Sequence, residues 1–336
     1  MELKELLFTL SNAVSIGYID EAVKLTEDFL GEFCDVSRRG KTLIGKLGKN
    51  KDYTILIEAH TDEVGMVVTD IDDNGFLTAS KCGGIDLRHL SAKPVTIHGK
   101  EKYTGVFVST PPHLKNADEV PESISEIKID SLLGKTAKEK ISIGDFVTYS
   151  TRAFSLGENS AAGKSFDNRI GVACIIELAK RLYNADIPCN VIFLLCDAEE
   201  LGLRGAKTAA FSVECDEAVA IDVSFGDGPD IDRTHCGKSG GGAMIGVSPC
   251  LDRAISDKLC RVAEKYGITC QREIMSGTTS TDADVISVTK EGIRTGLISV
   301  PIRNMHTDTE TVFLSDIYST CDILEKYILS GGSRNV

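Results

Sequence analysis

Four stretches of this sequence are apolar at successive positions instead of alternating: "YTILIEAH" (53–60), "NVIFLLCD" (190–197), "EAVAIDVS" (217–224) and "RTGLISVP" (294–301). A strand with one wet face alternates apolar and polar side chains. A strand apolar on both faces must be covered on both, which is the habit of a parallel sheet between layers of helices. Helical patterns stand between these runs. "DNRIGVACIIELAKRLYN" sets Ile170, Ala173, Cys174, Leu178 and Leu182 on one side, and "LRGAKTAAF" forms a shorter helix. "LDRAISDKLCRVAEKYG" spaces Ile255, Leu259, Val262, Ala263 and Tyr266 helically and stops at Gly267. Further expected elements are a run at "ITCQREI", a helix near "TDADVISVTKEG" and a last helix near 314–331. Residues 1–35 read as two more helices. The fold class is therefore α/β: a mixed sheet with a mostly parallel centre and helices on both faces.

One segment breaks this rhythm. From 66 to 157 short β-rich runs ("GMVVTDI", "GFLTAS", "PVTIHGK", "TGVFVST", "GDFVTYS") are separated by Gly, Pro, Asn and Asp. This predicts a small all-β unit, a barrel or a sandwich, inserted into the α/β domain. The expected division is 1–65 plus 158–336 for the α/β domain and 66–157 for the insert. Within the insert, the polar "PPHLKNADEVPESISE" (111–126) reads as a mobile loop.

Composition excludes several partners. A formal net charge of -13 argues against a nucleic-acid phosphate backbone as partner. No run of about 18 apolar residues exists to span a membrane. "MELKELLFTLSN" lacks the basic, apolar and small-residue sequence of a signal peptide. The 11 cysteines are scattered without a C-x-x-C pair, so reduced thiols and a cytoplasmic location are expected.

In open parallel sheets, ligands bind beyond the carboxyl ends of the strands. Acids and imidazoles collect at those places here. His60 and Asp62 follow the first run, Glu199 and Glu200 the second; Asp222 closes "EAVAID", and His306 follows "TGLISVPIRNM". Asp167 opens the helix after "GKSF". Each has an ordinary alternative: Asp167 as a helix cap, the glutamates as a solvated helix start, Asp222 as a strand terminator, His306 as a loop histidine. In "LIEAHTDEVG", the His60–Asp62 spacing suits a ligand and its support, and equally a strand running into a polar loop. The convergence of several junctions on one sheet edge favours a metal-type site.

With these residues in place, the chain resembles a known family, the dinuclear-metal aminopeptidases of the tetrahedral (TET) type, the "endoglucanase-like" glutamyl aminopeptidases. The resemblance covers essentially the whole chain. It rests on "AHTDEVG", "GGID", "GVFVSTPPH", "GKSFDNRIG", "EELGLRGA", "AIDVS" and "PIRNMHTDTE", in the family's order and spacing. It implies a co-catalytic zinc exopeptidase fold and two divalent metal ions per subunit, zinc first, with cobalt or manganese accepted by similar ligands. His60 and Asp222 would hold one ion, Glu200 and His306 the other, and Asp167 would bridge them. Glu199 would be the general base and Asp62 would orient His60. The implied reaction is removal of N-terminal residues from short peptides by a hydroxide held between the two metals. The β insert would mediate self-association, to a hollow dodecamer built from dimers.

The chain departs from the family's pattern at Asn304 in "RNMH", at Ser280 and Asp284 in "STDAD", at Ala92 and at Ala198. None is a proposed ligand. If Asp284 faces the substrate pocket, it would favour a basic N-terminal side chain. Two alternatives accompany the aminopeptidase reading. A related dinuclear-metal deacylase of N-acyl amino acids would need an apolar pocket for the acyl group, where a free amine needs an acid or metal. A catalytically inactive metal-binding assembly protein is disfavoured because every ligand and Glu199 are present. Cellulose hydrolysis needs a sugar-stacking groove, and the chain has no Trp.

Overall fold

A computed structural model describes residues 1–49, 51–109, 112–114, 127–229 and 231–334. The main sheet has 11 strands. Nine follow in the order Phe154–Ser155, Ser160–Gly163, Glu310–Phe313, Arg294–Arg303, Glu217–Phe225, Thr54–His60, Asn190–Cys196, Thr42–Leu47 and Asp35–Arg39. Ala243–Val247 pairs off Arg294–Arg303 and carries Cys270–Ile274 beside it. The four apolar runs form the parallel centre, and the strands on either side of them are antiparallel. The α/β reading, with a parallel-centred mixed sheet, is the observed architecture.

The strands divide their side chains between two unequal faces. Ile55, Ile57, Phe193 and Ile221 pack into the larger core with Leu7, Leu10, Ile170, Cys174, Leu178, Ile317 and Leu324 from the helices Leu3–Asn12, Phe166–Leu182 and Leu314–Leu329. Arg253–Tyr266 adds Ile255 and Leu259; Asp252 caps it by accepting from Ala254 N and Ile255 N, and Gly267 ends it at φ 66°. On the other face, among the described residues, Leu56, Ile192 and Leu194 meet the six-residue helix Arg204–Ala209, the short turn with Ala210 and Val213 that follows it, and the six-residue helix Asp282–Ser287. Helices of under two turns cannot cover a whole sheet, so the carboxyl end of the sheet is left open on this side.

The inserted region is a closed antiparallel barrel of six strands: Gly65–Ile71, Leu77–Cys82, Pro94–His98, Lys102–Phe107, Ile129–Asp130 and Phe146–Tyr149. Five correspond to the expected β-rich runs. Ile129–Asp130 is too short to leave a sequence pattern. Met66, Val68, Leu77, Val95, Ile97, Phe107, Ile129 and Val147 fill the barrel. Apart from 112–114, the expected loop 111–126 lies outside the described residues. All 11 cysteines are free, and no helix among the described residues is long and apolar enough to cross a membrane.

Candidate active site

Strand alternation decides which side chains reach the open end. Ile55, Ile57 and Ala59 point into the large core, which sends Leu56, Glu58 and His60 to the other face. Cys196 pairs with His60 and Ala220 with Glu58, so neighbouring strands reach the same edge and deliver Glu199, Glu200 and Asp222 to it. Asp222 does not close its strand as expected. The strand continues to Phe225, and the Asp222 carboxylate accepts from Val223 N at 2.8 Å. Asp167 is not a helix cap. Its backbone is extended (φ -75°, ψ 107°), its peptide bond to Asn168 is cis, and Asp167 and Asn168 interrupt the helix, which runs unbroken from Arg169. The Asn168 side chain donates to Ile221 O at 2.7 Å and accepts from Gly171 N at 2.9 Å, tying this segment to the sheet.

The predicted residues come together as two clusters that share Asp167: His60, Asp167 and Asp222, and Asp167, Glu200 and His306. His60 Nε2 is 3.0 Å from Asp167 Oδ1 and 3.8 Å from Asp222 Oδ1. His306 Nε2 is 3.2 Å from both Asp167 Oδ2 and Glu200 Oε1. Glu199 Oε2 lies 3.9 Å from His60 Nε2 and belongs to neither cluster. Asp62 faces the other edge of the His60 ring, with Oδ1 3.4 Å from Nδ1. His60 Nδ1 has no hydrogen-bond partner at that distance, while the carboxylate accepts from Glu199 N at 3.0 Å and Glu200 N at 3.2 Å. Asp62 therefore positions the Glu199–Glu200 segment as well as the imidazole.

The sequence reading missed two features. Glu310, 1% exposed, accepts from Asp167 N at 3.0 Å and from His306 N at 2.7 Å, so one carboxylate fixes the backbone of two cluster residues. It stands in the quoted "PIRNMHTDTE", and only its burial gives it a role. Beneath His60, the carboxyls of Glu58 and Asp282 lie with the Cys196 thiol, all buried. Burial and the facing Asp282 push Glu58 well above the usual carboxylate range, and burial pushes Asp282 up to about 6. Two such carboxyls cannot both be ionised at that depth, and Glu58 Oε1 and both Asp282 oxygens are buried without a hydrogen-bond partner.

The electrostatics of the clusters call for cations. Burial lowers the proton affinity of His60, but the charges of Glu199, Asp167 and Asp62 overcome it and hold the imidazole protonated well above its usual range. His306 is likewise pushed up to about 11 by Asp167 and Glu200 against burial. Burial raises Asp222 strongly and Glu199 to about 8. Asp167 is pulled down against burial by the two imidazoles. Five carboxylates thus converge on two imidazoles, with Glu200 Oε1, which faces His306, buried and without a hydrogen-bond partner. Mixed imidazole and carboxylate donors of this kind fit divalent transition ions.

The clusters open into a cleft of about 470 Å³ walled by Leu203, Ser224, Phe225, Thr279, Thr281 and Met305. Ser280 also lines it, whereas Asp284 does not. The Asp284 carboxylate accepts from Thr279 N, Thr279 Oγ1 and Ser280 N at 2.9–3.1 Å, holding the turn that forms one wall. Asn304 donates to Thr309 O at 3.2 Å and takes a left-handed φ of 58°, a conformation that asparagine tolerates.

The profile of the family described as M42 glutamyl aminopeptidase matches residues 40–323. The lysyl aminopeptidase of Pyrococcus furiosus is 30% identical over 296 residues, 82% of this chain and 83% of that one. Among solved structures, aminopeptidase APDkam598 from the archaeon Desulfurococcus kamchatkensis superposes with a TM-score of 0.91 at 29% identity, covering 98% of this chain and 94% of that one. The Pyrococcus horikoshii TET1 peptidase, described as assembling into a tetrahedron or a large octahedral shell, gives 0.85 at 29% identity over 98% and 99%. On fold, motif order and site together, this chain belongs to the M42 glutamyl aminopeptidase family and is a metal-dependent aminopeptidase.

Proposed function

We propose that the 1–65 plus 158–336 domain removes N-terminal residues from short peptides with two divalent ions, zinc first. His60 and Asp222 would hold one ion, Glu200 and His306 the other, and Asp167 both. The observation that carries this reading is the pair of clusters sharing Asp167 with Glu199 left over beside them. When bound, the ions supply polarisation of the scissile carbonyl and acidification of water.

The protein's own groups do the rest. Glu199 Oε2 takes the proton of the attacking water and delivers it to the nitrogen of the leaving amine. Its position beside His60, outside both ligand sets, leaves it free for that transfer. Asp62 holds the backbone of Glu199 and Glu200, so base and ligand keep their separation. The acid-rich end of the cleft suits the cationic α-amine of a peptide. Leu203, Phe225 and Met305 offer apolar surface to the side chain and shield the reacting atoms from water.

The reading extends to self-association through the 66–157 barrel, supported by the assemblies described for the TET1 relative. A reducing cytoplasmic location agrees with 11 free thiols. The test strips the metals, restores zinc or cobalt, and offers one peptide library with free and with acetylated N-termini. Metal-dependent release of single residues only from the free set is expected. Cleavage of the acetylated set would transfer the assignment to a deacylase, and silence from both with two ions bound would reject catalysis.

A further inference from the structure

The barrel does not simply hang from the catalytic domain; it touches the second ligand cluster. Its strand Leu77–Cys82 runs directly into Gly83 and Gly84. A Cβ on Gly83 would lie 3.2 Å from Glu200 Oε2 and 2.8 Å from Val64 Cγ1. A Cβ on Gly84 would lie 2.8 Å from His306 Nδ1 and 3.1 Å from its Cε1. Gly83 has φ 88° and so needs glycine for its backbone as well, but Gly84 is not among the positive-φ residues. Only the space beside the imidazole requires glycine at 84.

The ring cannot easily move away. Its far edge, Nε2, already stands 3.2 Å from Asp167 and from Glu200. The loop that carries it is fixed at His306 N by Glu310. The barrel grips the same loop a second time. Buried Asp308 pairs with Lys93 Nζ at 2.9 Å and accepts from Thr151 Oγ1 at 3.2 Å, where Lys93 precedes the barrel strand Pro94–His98 and Thr151 follows Phe146–Tyr149.

From these contacts we infer that the barrel is a working part of the metal centre, with Gly84 as a positioning residue that sets the His306 imidazole from behind. The inference rests on the reading of His306 as a metal ligand. A methyl group at 84 must open the 2.8 Å approach to an ordinary contact of about 3.4 Å, a displacement of about 0.6 Å. Ligand groups need to stay within about 0.5 Å of productive geometry, so the second ion weakens, while His60 and Asp222, which are not among the atoms nearest a Cβ at Gly83 or Gly84, keep the first.

The experiment compares the full chain with Gly84→Ala and with Gly105→Ala. The second is a control, since a Cβ at 105 would press on Ile129 and Ile97 inside the barrel at 2.8 Å, far from any ligand. After chelation, each protein is titrated with Co²⁺ and followed by its visible absorption and bound-metal count. The parent and Gly105→Ala are expected to bind two ions. Gly84→Ala should bind the first ion unchanged and the second about 10–100-fold more weakly, the loss typical of disturbed ligand support. Equal second-ion affinity in Gly84→Ala overturns the inference, and so does an equal loss in Gly105→Ala, which would trace the effect to barrel folding. A parent that binds one ion would instead reject the paired-site reading. The His306 Cε1–H proton resonance, assigned through His306→Gln, decides Gly84 without any metal. It should shift in chelated Gly84→Ala and stay put in Gly105→Ala, and no shift overturns the inference.

Discussion

Replacing Glu310 by alanine tests the claim that a residue outside both ligand clusters holds them together. Its carboxylate accepts the backbone N–H of Asp167 and of His306. It sits on the strand Glu310–Phe313, where its own backbone is paired to Gly163. Alanine keeps that strand but leaves the buried N–H of Asp167 and the half-buried N–H of His306 without that acceptor. Each orphaned donor costs about 1–3 kcal/mol, so Glu310→Ala should lose about 2–6 kcal/mol of unfolding free energy. That is a large part of a typical total of about 5–15 kcal/mol. Glu310→Gln retains one acceptor oxygen and should lose about half as much, about 1–3 kcal/mol. Both should weaken metal binding about 10–100-fold, because Asp167 belongs to both clusters. Urea unfolding of the chelated proteins and a competition titration with a chromogenic chelator measure the two effects. An alanine variant within about 0.5 kcal/mol of the parent, with parental metal affinity, would refute the reasoning.

The other expectations concern the groups around the clusters. Glu199→Gln should lower turnover by about 10²–10⁴-fold with both ions retained, whereas Glu200→Ala should lose an ion; a fully active Glu199→Gln protein rejects the base assignment. Asp62→Asn keeps one acceptor for the two N–H groups of Glu199 and Glu200 and turns a donor on the other, so metal affinity should fall about 10–100-fold, read by calorimetric titration. Burial raises Glu199 and Glu310 to about 8, and Asp167 and Glu200 raise His306 to about 11 against burial, all above their unfolded values of 4.5, 4.5 and 6.5. The folded chain therefore holds these protons more tightly than the unfolded chain. Without added metal their contribution to stability should be full below pH 4.5 and be lost as pH rises from there to about 11, with a urea midpoint that rises over this window counting against it. Because an ion bound at His306 replaces the proton on its imidazole, apparent metal affinity should climb over the same range.

Much of this was legible in the chain itself. Apolar runs at 53–60, 190–197, 217–224 and 294–301 admit only strands buried on both faces, and these four form the parallel centre. The same runs show where the strands end, so His60, Glu199 and Glu200 could be singled out as candidates without coordinates, whereas Asp222 was expected at a strand end and lies inside its strand. What sequence could not state is how segments far apart in the chain face one another. Glu310 matters because it is buried between two backbone donors 143 and 4 residues away. Glu58 reads as one acid in an apolar strand until Asp282, from a helix more than 200 residues later, is packed against it. Whether Asp284 faces the pocket could not be read from the chain; its carboxylate holds the turn that forms one wall. Gly84 has no side chain to carry a pattern at all; its role is the space it leaves for His306. Periodicity is a local property and survives in one dimension. Proximity, burial and the proton affinities that follow from them are set only when the barrel, the sheet and the two short helices close around the same edge.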